Sequence, residues 1–214
     1  MNLTQPQALQ RGDLVAIVTT ARKIDKDAVQ LAIELLESWG LNVVLGKTIG
    51  LEDNQYGGTD SDRAKDFQQA MDDPAVKAIW CARGGYGTVR IIDSLDFTQF
   101  IKNPKYVIGF SDVTVLHSHL HNLGVQTLHA IMPITVSGNS KEALDSLKKD
   151  LFGTTNTYDV PSEKGNKIGK ETGVLVGGNL SMLYSLLGSK SAIDTAGKIL
   201  FIEDLDEYLY HIDR

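Results

Sequence analysis

The stretch Tyr106-Val107-Ile108-Gly109-Phe110-Ser111-Asp112-Val113-Thr114 decides the fold. An apolar, β-favouring run meets a glycine, and two positions later a serine stands before a helix-like segment that begins at Asp112. The pattern reads as strand, sharp turn and helix, with Ser111 on the turn. A serine there is exposed at the carboxyl edge of a sheet, and the first N–H groups of the helix lie beside it, able to stabilise an oxyanion. Two readings follow: Ser111 is a nucleophile, or Ser111 or Asp112 merely caps the helix. The hydrolase elbow G-x-S-x-G is half met, because Val113 stands where its second glycine would be.

Upstream of this turn, strand-like and helix-like segments alternate. Leu14 to Val18 reads as a buried strand. From Asp27 to Trp39 the apolar residues Val29, Ala32, Ile33, Leu36 and Trp39 fall on one helical face, and Gly40 supplies the stop. Asn42 to Leu45 completes a βαβ unit, hence parallel strands with a right-handed crossover. The aperiodic segment 47–60 reads as an exposed loop. A helix over 61–71 and a strand over 78–82 follow, and the strand ends at Arg83-Gly84-Gly85-Tyr86-Gly87. Beyond Ser111 come a helix to about Leu123 and a strand over 125–129. The fold class is therefore α/β, an open, doubly wound, mostly parallel sheet in which ligands bind beyond the carboxyl ends of the strands. Both the glycine-rich turn and the serine turn fall at that edge.

After residue 138 the texture changes. An amphipathic helix over 140–152 and a polar segment to Lys170 lead to a strand at 173–176, a Gly177-Gly178-Asn179 turn, a helix over 180–187 and a strand at 199–202. The expected organisation is a nucleophile domain over 1–138, a helix and linker over 139–170, and an incomplete, smaller mixed α/β second domain over 171–214. So few elements make a core that is marginal alone.

Composition narrows the classes of function. Hydrophobic residues make up 42% of the 214 and charged residues 22%, so a packed globular protein is expected. A net charge of −6 without a basic run argues against nucleic-acid binding. The single cysteine, Cys81, lies in an apolar run and reads as a buried thiol. No stretch reaches the length of a membrane span or a signal h-region, so a cytoplasmic location is expected. On that basis the triplets Asn2-Leu3-Thr4 and Asn179-Leu180-Ser181 are chance matches to the glycosylation pattern.

Three other clusters bear on chemistry. The turn at 83–87 lacks the third glycine of a dinucleotide fingerprint, where Arg90 stands, and no Walker lysine follows it. Its glycines could instead let backbone N–H groups approach a substrate oxyanion, or form a tight turn and nothing more. His117 and His121 have i, i+4 metal-ligand spacing but no glutamate between them and no third ligand, so solvated or core histidines are the simpler reading. His129 ends a strand at the carboxyl edge, where it could line a site. Glu203-Asp204-Leu205-Asp206-Glu207 follows an apolar strand; it is a solvated loop, or it offers a carboxylate that orients a histidine.

Taken in order, Arg83-Gly84-Gly85-Tyr86-Gly87, Gly109-Phe110-Ser111-Asp112, Gly177-Gly178-Asn179-Leu180, Phe201-Ile202-Glu203-Asp204 and Ile212-Asp213-Arg214 resemble the LD-carboxypeptidase family of serine peptidases. The resemblance implies an α/β domain bearing the serine and a smaller domain bearing the glutamate and histidine of a Ser-Glu-His triad. By that match Ser111 is the nucleophile and Glu203 the triad acid. The N–H of Asp112 and one from Gly84 or Gly85 form the oxyanion hole, with Arg83 in the substrate-binding turn. The implied reaction removes the terminal D-alanine of murein tetrapeptide by cutting an L–D bond during cell-wall recycling. A related branch cleaves peptide-nucleotide antibiotics and confers immunity. No cofactor or metal is expected, and a homodimer is a family expectation. The family histidine matches none of the five histidines here, which implies a chain truncated before its base and of little turnover. The alternative is a non-catalytic module that binds cell-wall peptide or dimerises.

Overall fold

A computed structural model describes residues 3–213. Asn2 of the first glycosylation-like triplet and Arg214 of the last family motif lie outside the described residues.

Among the described residues seven strands and eight α-helices follow one another as β1 (Leu14–Val18), α1 (Gln30–Ser38), β2 (Asn42–Leu45), α2 (Asp60–Asp72), β3 (Val76–Cys81), α3 (Thr88–Ile91), α4 (Thr98–Lys102), β4 (Tyr106–Gly109), α5 (Thr114–Asn122), β5 (Leu128–His129), α6 (Lys141–Leu151), β6 (Leu175–Asn179), α7 (Leu180–Ser185), β7 (Ile199–Glu203) and α8 (Leu209–Asp213). The first five strands form one parallel sheet in the order β2-β1-β3-β4-β5. The order reverses between β1 and β3, which opens a crevice at their carboxyl ends.

Side-chain alternation along the central strands sends residues to two cores. Ala16, Val18, Ile79, Cys81 and Val107 meet Phe67 and Met71 of α2, Phe100 of α4 and Val115 and Leu116 of α5. Val15, Ile17, Ala78, Trp80 and Ile108 meet Ala32 and Leu36 of α1 and Leu147 and Leu151 of α6 on the other face. Helices on both faces bury the central strands β1, β3 and β4, as a parallel sheet requires, while the edge strands β2 and β5 stay partly exposed. Trp80 is fully buried, and its Nε1–H donates to the Ile131 carbonyl at 2.8 Å. The α2 start is set by a capping box, in which Thr59 Oγ1 accepts from the Asp62 N–H at 3.1 Å while the Asp62 carboxylate accepts from the Thr59 N–H at 3.0 Å.

The expected strands β1 and β2 stand where the apolar runs place them. The helix expected over 27–39 opens with a 3-10 turn, Lys26–Val29, before α1. The strand expected over 125–129 shrinks to Leu128–His129, while Val125 makes an isolated bridge to Thr4. Gly177-Gly178-Asn179, expected as a turn, is the second half of β6. The short helix α8 was not foreseen, and Glu203 is the last residue of β7 rather than the first beyond it.

β6 and β7 form a separate two-stranded parallel sheet in which Asn179 pairs with Glu203. It docks on the start of α5. Asn179 N–H donates to Thr114 Oγ1 at 3.0 Å, and a Cβ at Gly178 would lie 2.5 Å from the same oxygen, so only glycine permits this approach. The contact carries the Glu203 end of β7 toward the carboxyl edge of the main sheet.

Candidate active site around Ser111

All four residues of β4 are buried, and the chain leaves the strand through Phe110 in extended backbone. Ser111 then takes φ of 60°, a left-handed conformation that is uncommon outside glycine and costs on the order of 1–3 kcal/mol. A 3-10 turn, Ser111–Val113, leads directly into α5. The amides of Ser111 and Asp112 open this helical run, where the first N–H groups have no intrahelical acceptor.

The glycine-rich turn packs against the serine. A Cβ at Gly84 would lie 3.3 Å from Ser111 Oγ, 3.2 Å from its Cβ and 3.4 Å from the Asp112 nitrogen. Any side chain there would crowd the hydroxyl and the neighbouring amide. Ser111, Asp112 and Gly84 thus meet at one point. Gly85 faces the other way, toward Arg22, whose Cδ lies 2.5 Å from the position its Cβ would take. Arg83 is half-buried and turns toward the loop after β1, where its Nη1 donates to the Lys23 carbonyl at 3.0 Å.

The Asp112 side chain ties the two turns together. Its Oδ2 accepts from the Thr88 N–H at 2.9 Å and from Thr88 Oγ1 at 2.6 Å, and the Thr88 hydroxyl also pairs with Thr20 Oγ1 at 2.8 Å. Asp112 is 1% exposed, and burial raises its carboxyl above the ordinary range, opposed by the Thr88 bonds and the Arg63 charge. Sequence reading missed Thr88. Its signal is a hydroxyl residue that opens a helix directly after the glycine turn.

Glu203 comes to this edge from β7. Its Oε1 lies 3.9 Å from His129 Nε2, longer than a hydrogen bond, and is buried with no hydrogen-bond partner among the described residues. Burial, then the neighbouring Asp204 charge, raise the Glu203 carboxyl. Asn179 supports the acidic pair, since its Nδ2 donates to Asp204 Oδ1 at 3.0 Å. His129 is held neutral by burial, among the rings of Phe201 at 5.1 Å, His117 at 5.9 Å and Phe110 at 6.2 Å.

The helical histidines have local partners. His117 Nε2 bonds the Gly109 carbonyl at 2.8 Å and its Nδ1 pairs with Thr127 Oγ1 at 2.7 Å. His119 pairs with Ser191 Oγ at 2.9 Å, and His121 with Lys198 Nζ at 3.1 Å. Among the described residues no group of three or more His, Cys, Asp or Glu could hold a metal ion. None of the described helices is long and apolar enough to cross a membrane.

Two family models match the chain: the LD-carboxypeptidase N-terminal domain over residues 15–130 and the LD-carboxypeptidase C-terminal domain over residues 172–214. The chain belongs to the LD-carboxypeptidase family. A probable murein peptide carboxypeptidase of Bacillus subtilis is 41% identical over 98% of this chain and 68% of its own length. The murein tetrapeptide carboxypeptidase of Pseudomonas aeruginosa is 32% identical over 94% of this chain and 69% of its own. The crystal structure of a muramoyltetrapeptide carboxypeptidase from Oxalobacter formigenes superposes with a TM-score of 0.83 at 28% identity, covering 94% of this chain and 68% of that one. The fold class inferred from the alternating elements is that of these LD-carboxypeptidase structures.

Proposed function

We propose that this protein is a serine carboxypeptidase that cuts the L–D peptide bond before the terminal D-alanine of murein tetrapeptide. The observation that carries the reading is the left-handed Ser111 at the end of β4 with the Gly84 backbone packed against its hydroxyl. A strained turn that presents a hydroxyl beside helix-opening amides is the geometry an acyl-transfer nucleophile needs. The murein peptide specificity named for the relatives supports the choice of substrate.

In the proposed reaction Ser111 Oγ attacks the carbonyl carbon of the L-residue. The Asp112 N–H and an N–H from Gly84 or Gly85 take the oxyanion, D-alanine leaves with a proton, and water hydrolyses the acyl-serine. Glu203 is the acid of a Ser-Glu-His triad whose base none of the described histidines supplies at hydrogen-bonding distance. The nucleophile comes from the domain over 1–138 and the acid from the segment over 171–214, joined by the helix and linker over 139–170. Such chemistry uses no cofactor. On this reading the protein works in the cytoplasm, on peptide recovered from the cell wall, as a homodimer.

D-alanine release from murein tetrapeptide is the test, with Ser111→Ala as the control. Among the described residues no histidine hydrogen-bonds Glu203. Release is therefore expected to be slow, roughly 10⁴- to 10⁶-fold below a complete triad, and wholly dependent on Ser111. Release that survives Ser111→Ala would overturn the reading. The unpartnered Glu203 oxygen also favours a second reading, a non-catalytic module that binds cell-wall peptide. That reading predicts peptide affinity unchanged by Ser111→Ala and no release at all.

A further inference from the structure

Five cationic side chains, Arg22, Lys23, Arg63, Arg83 and Arg90, lie on the segments around the carboxyl ends of β1 and β3, and two of them have no carboxylate partner among the described residues. Lys23 pairs with Glu52, and Arg63 and Arg90 share Asp60. Among the described residues neither Arg22 nor Arg83 makes an ion pair. Arg22 is exposed, and its one side-chain bond, to Gln55 Oε1, is long at 3.5 Å. Arg83 holds the Lys23 carbonyl through Nη1, while its Nε is buried with no acceptor. A buried donor left unmade costs on the order of 1–3 kcal/mol, so such a group usually awaits a partner. The charge of Arg22 further disfavours that of Arg83, on top of burial. Two guanidinium groups that repel one another at the switch point of a doubly wound sheet form a site for an anion.

The spacing says which anion. Gly84 touches Ser111, with its Cβ position 3.3 Å from Ser111 Oγ; the next residue, Gly85, touches Arg22, with its Cβ position 3.3 Å from Arg22 Nε. Consecutive residues of one turn thus face the serine on one side and Arg22 on the other, and Arg83, the residue before them, carries the second guanidinium. In a carboxypeptidase substrate the terminal carboxylate lies one residue beyond the carbonyl under attack. We propose that Arg22 and Arg83 form the subsite that binds the terminal α-carboxylate of the substrate and so restrict the enzyme to the last residue of a peptide. This inference rests on the carboxypeptidase reading above and adds the group that enforces it.

The experiment is calorimetric titration of the Ser111→Ala protein, in which turnover is blocked, with murein tetrapeptide and with the same peptide carrying a C-terminal carboxamide. The free acid is expected to bind about 10- to 100-fold more tightly than the amide, the range set by one or two charge-assisted hydrogen bonds. Adding Arg22→Ala, at an exposed position, is expected to reduce that preference to about threefold or less. Arg83→Lys, which keeps the charge and loses the fork, is expected to leave an intermediate preference. Circular dichroism of each variant reports the fold. Equal binding of acid and amide, or a preference unchanged in both variants, would overturn the subsite; with Ser111-dependent D-alanine release it would leave the peptidase reading standing. Failure of both peptides to bind would overturn the two together.

Discussion

Replacing His117 with glutamine is expected to flatten the acid side of the stability profile. The imidazole is buried beneath the serine turn, where Nε2–H donates to the Gly109 carbonyl at 2.8 Å and Nδ1 accepts from the Thr127 hydroxyl at 2.7 Å. This arrangement needs the neutral ring with its proton on Nε2. Burial, reinforced by nearby His129, lowers the pKa from 6.5 to about 4. The native state therefore binds fewer protons than the unfolded chain between these values. The stability due to His117 is complete above pH 6.5 and is lost as the pH falls toward 4. At about 1.36 kcal/mol per pH unit the full loss is about 3 kcal/mol, with roughly 2.5 kcal/mol gone by pH 4.5. That is a large share of the ~5–15 kcal/mol that holds a domain folded. Urea unfolding of wild type and His117→Gln at pH 7.5 and 4.5 gives the comparison. The variant is expected to be less stable at pH 7.5 and to lose less on acidification, by about 2 kcal/mol. Asp112 and Glu203, whose raised pKa values act in the opposite sense, contribute to both proteins and cancel in the difference. Equal losses in the two proteins would refute the assignment of the buried neutral ring.

Two other substitutions test the site. Gly84→Ala places a methyl 3.2–3.4 Å from Ser111 and the Asp112 nitrogen, and is expected to cut D-alanine release at least tenfold with a melting temperature within a few degrees of wild type. His129→Ala removes a neutral ring 3.9 Å from Glu203, and is expected to change Ser111-dependent release less than threefold. A hundredfold fall would make His129 the base.

The sheet was legible wherever the signal was local. Leu14–Val18 and Asn42–Leu45 are apolar runs bounded by turn residues, and the face of α1 repeats every three or four positions. The serine turn was legible for the same reason, a glycine and a hydroxyl between strand and helix. What stayed hidden depends on distant partners. Gly177 and Gly178 read as a turn because glycine weakens strands. Their place in β6 follows from close approaches no local pattern displays: a Cβ at Gly177 would meet the Phe201 carbonyl oxygen at 1.7 Å, and one at Gly178 would meet Thr114. Thr88 holding Asp112, 24 positions away, and Arg22 lying against Gly85 belong to the same class of contact. Cys81 was legible both ways: its apolar run buries it, and burial pushes its thiol up to about 12, far from reactive.

The central claim is that Ser111 is the nucleophile. Incubation with a serine-directed fluorophosphonate, followed by peptide mass mapping, tests it most directly. The account predicts a single covalent adduct on Ser111, absent from the Ser111→Ala protein and slowed when murein tetrapeptide is present. An unmodified Ser111, or an adduct that persists on another residue after Ser111→Ala, would contradict it.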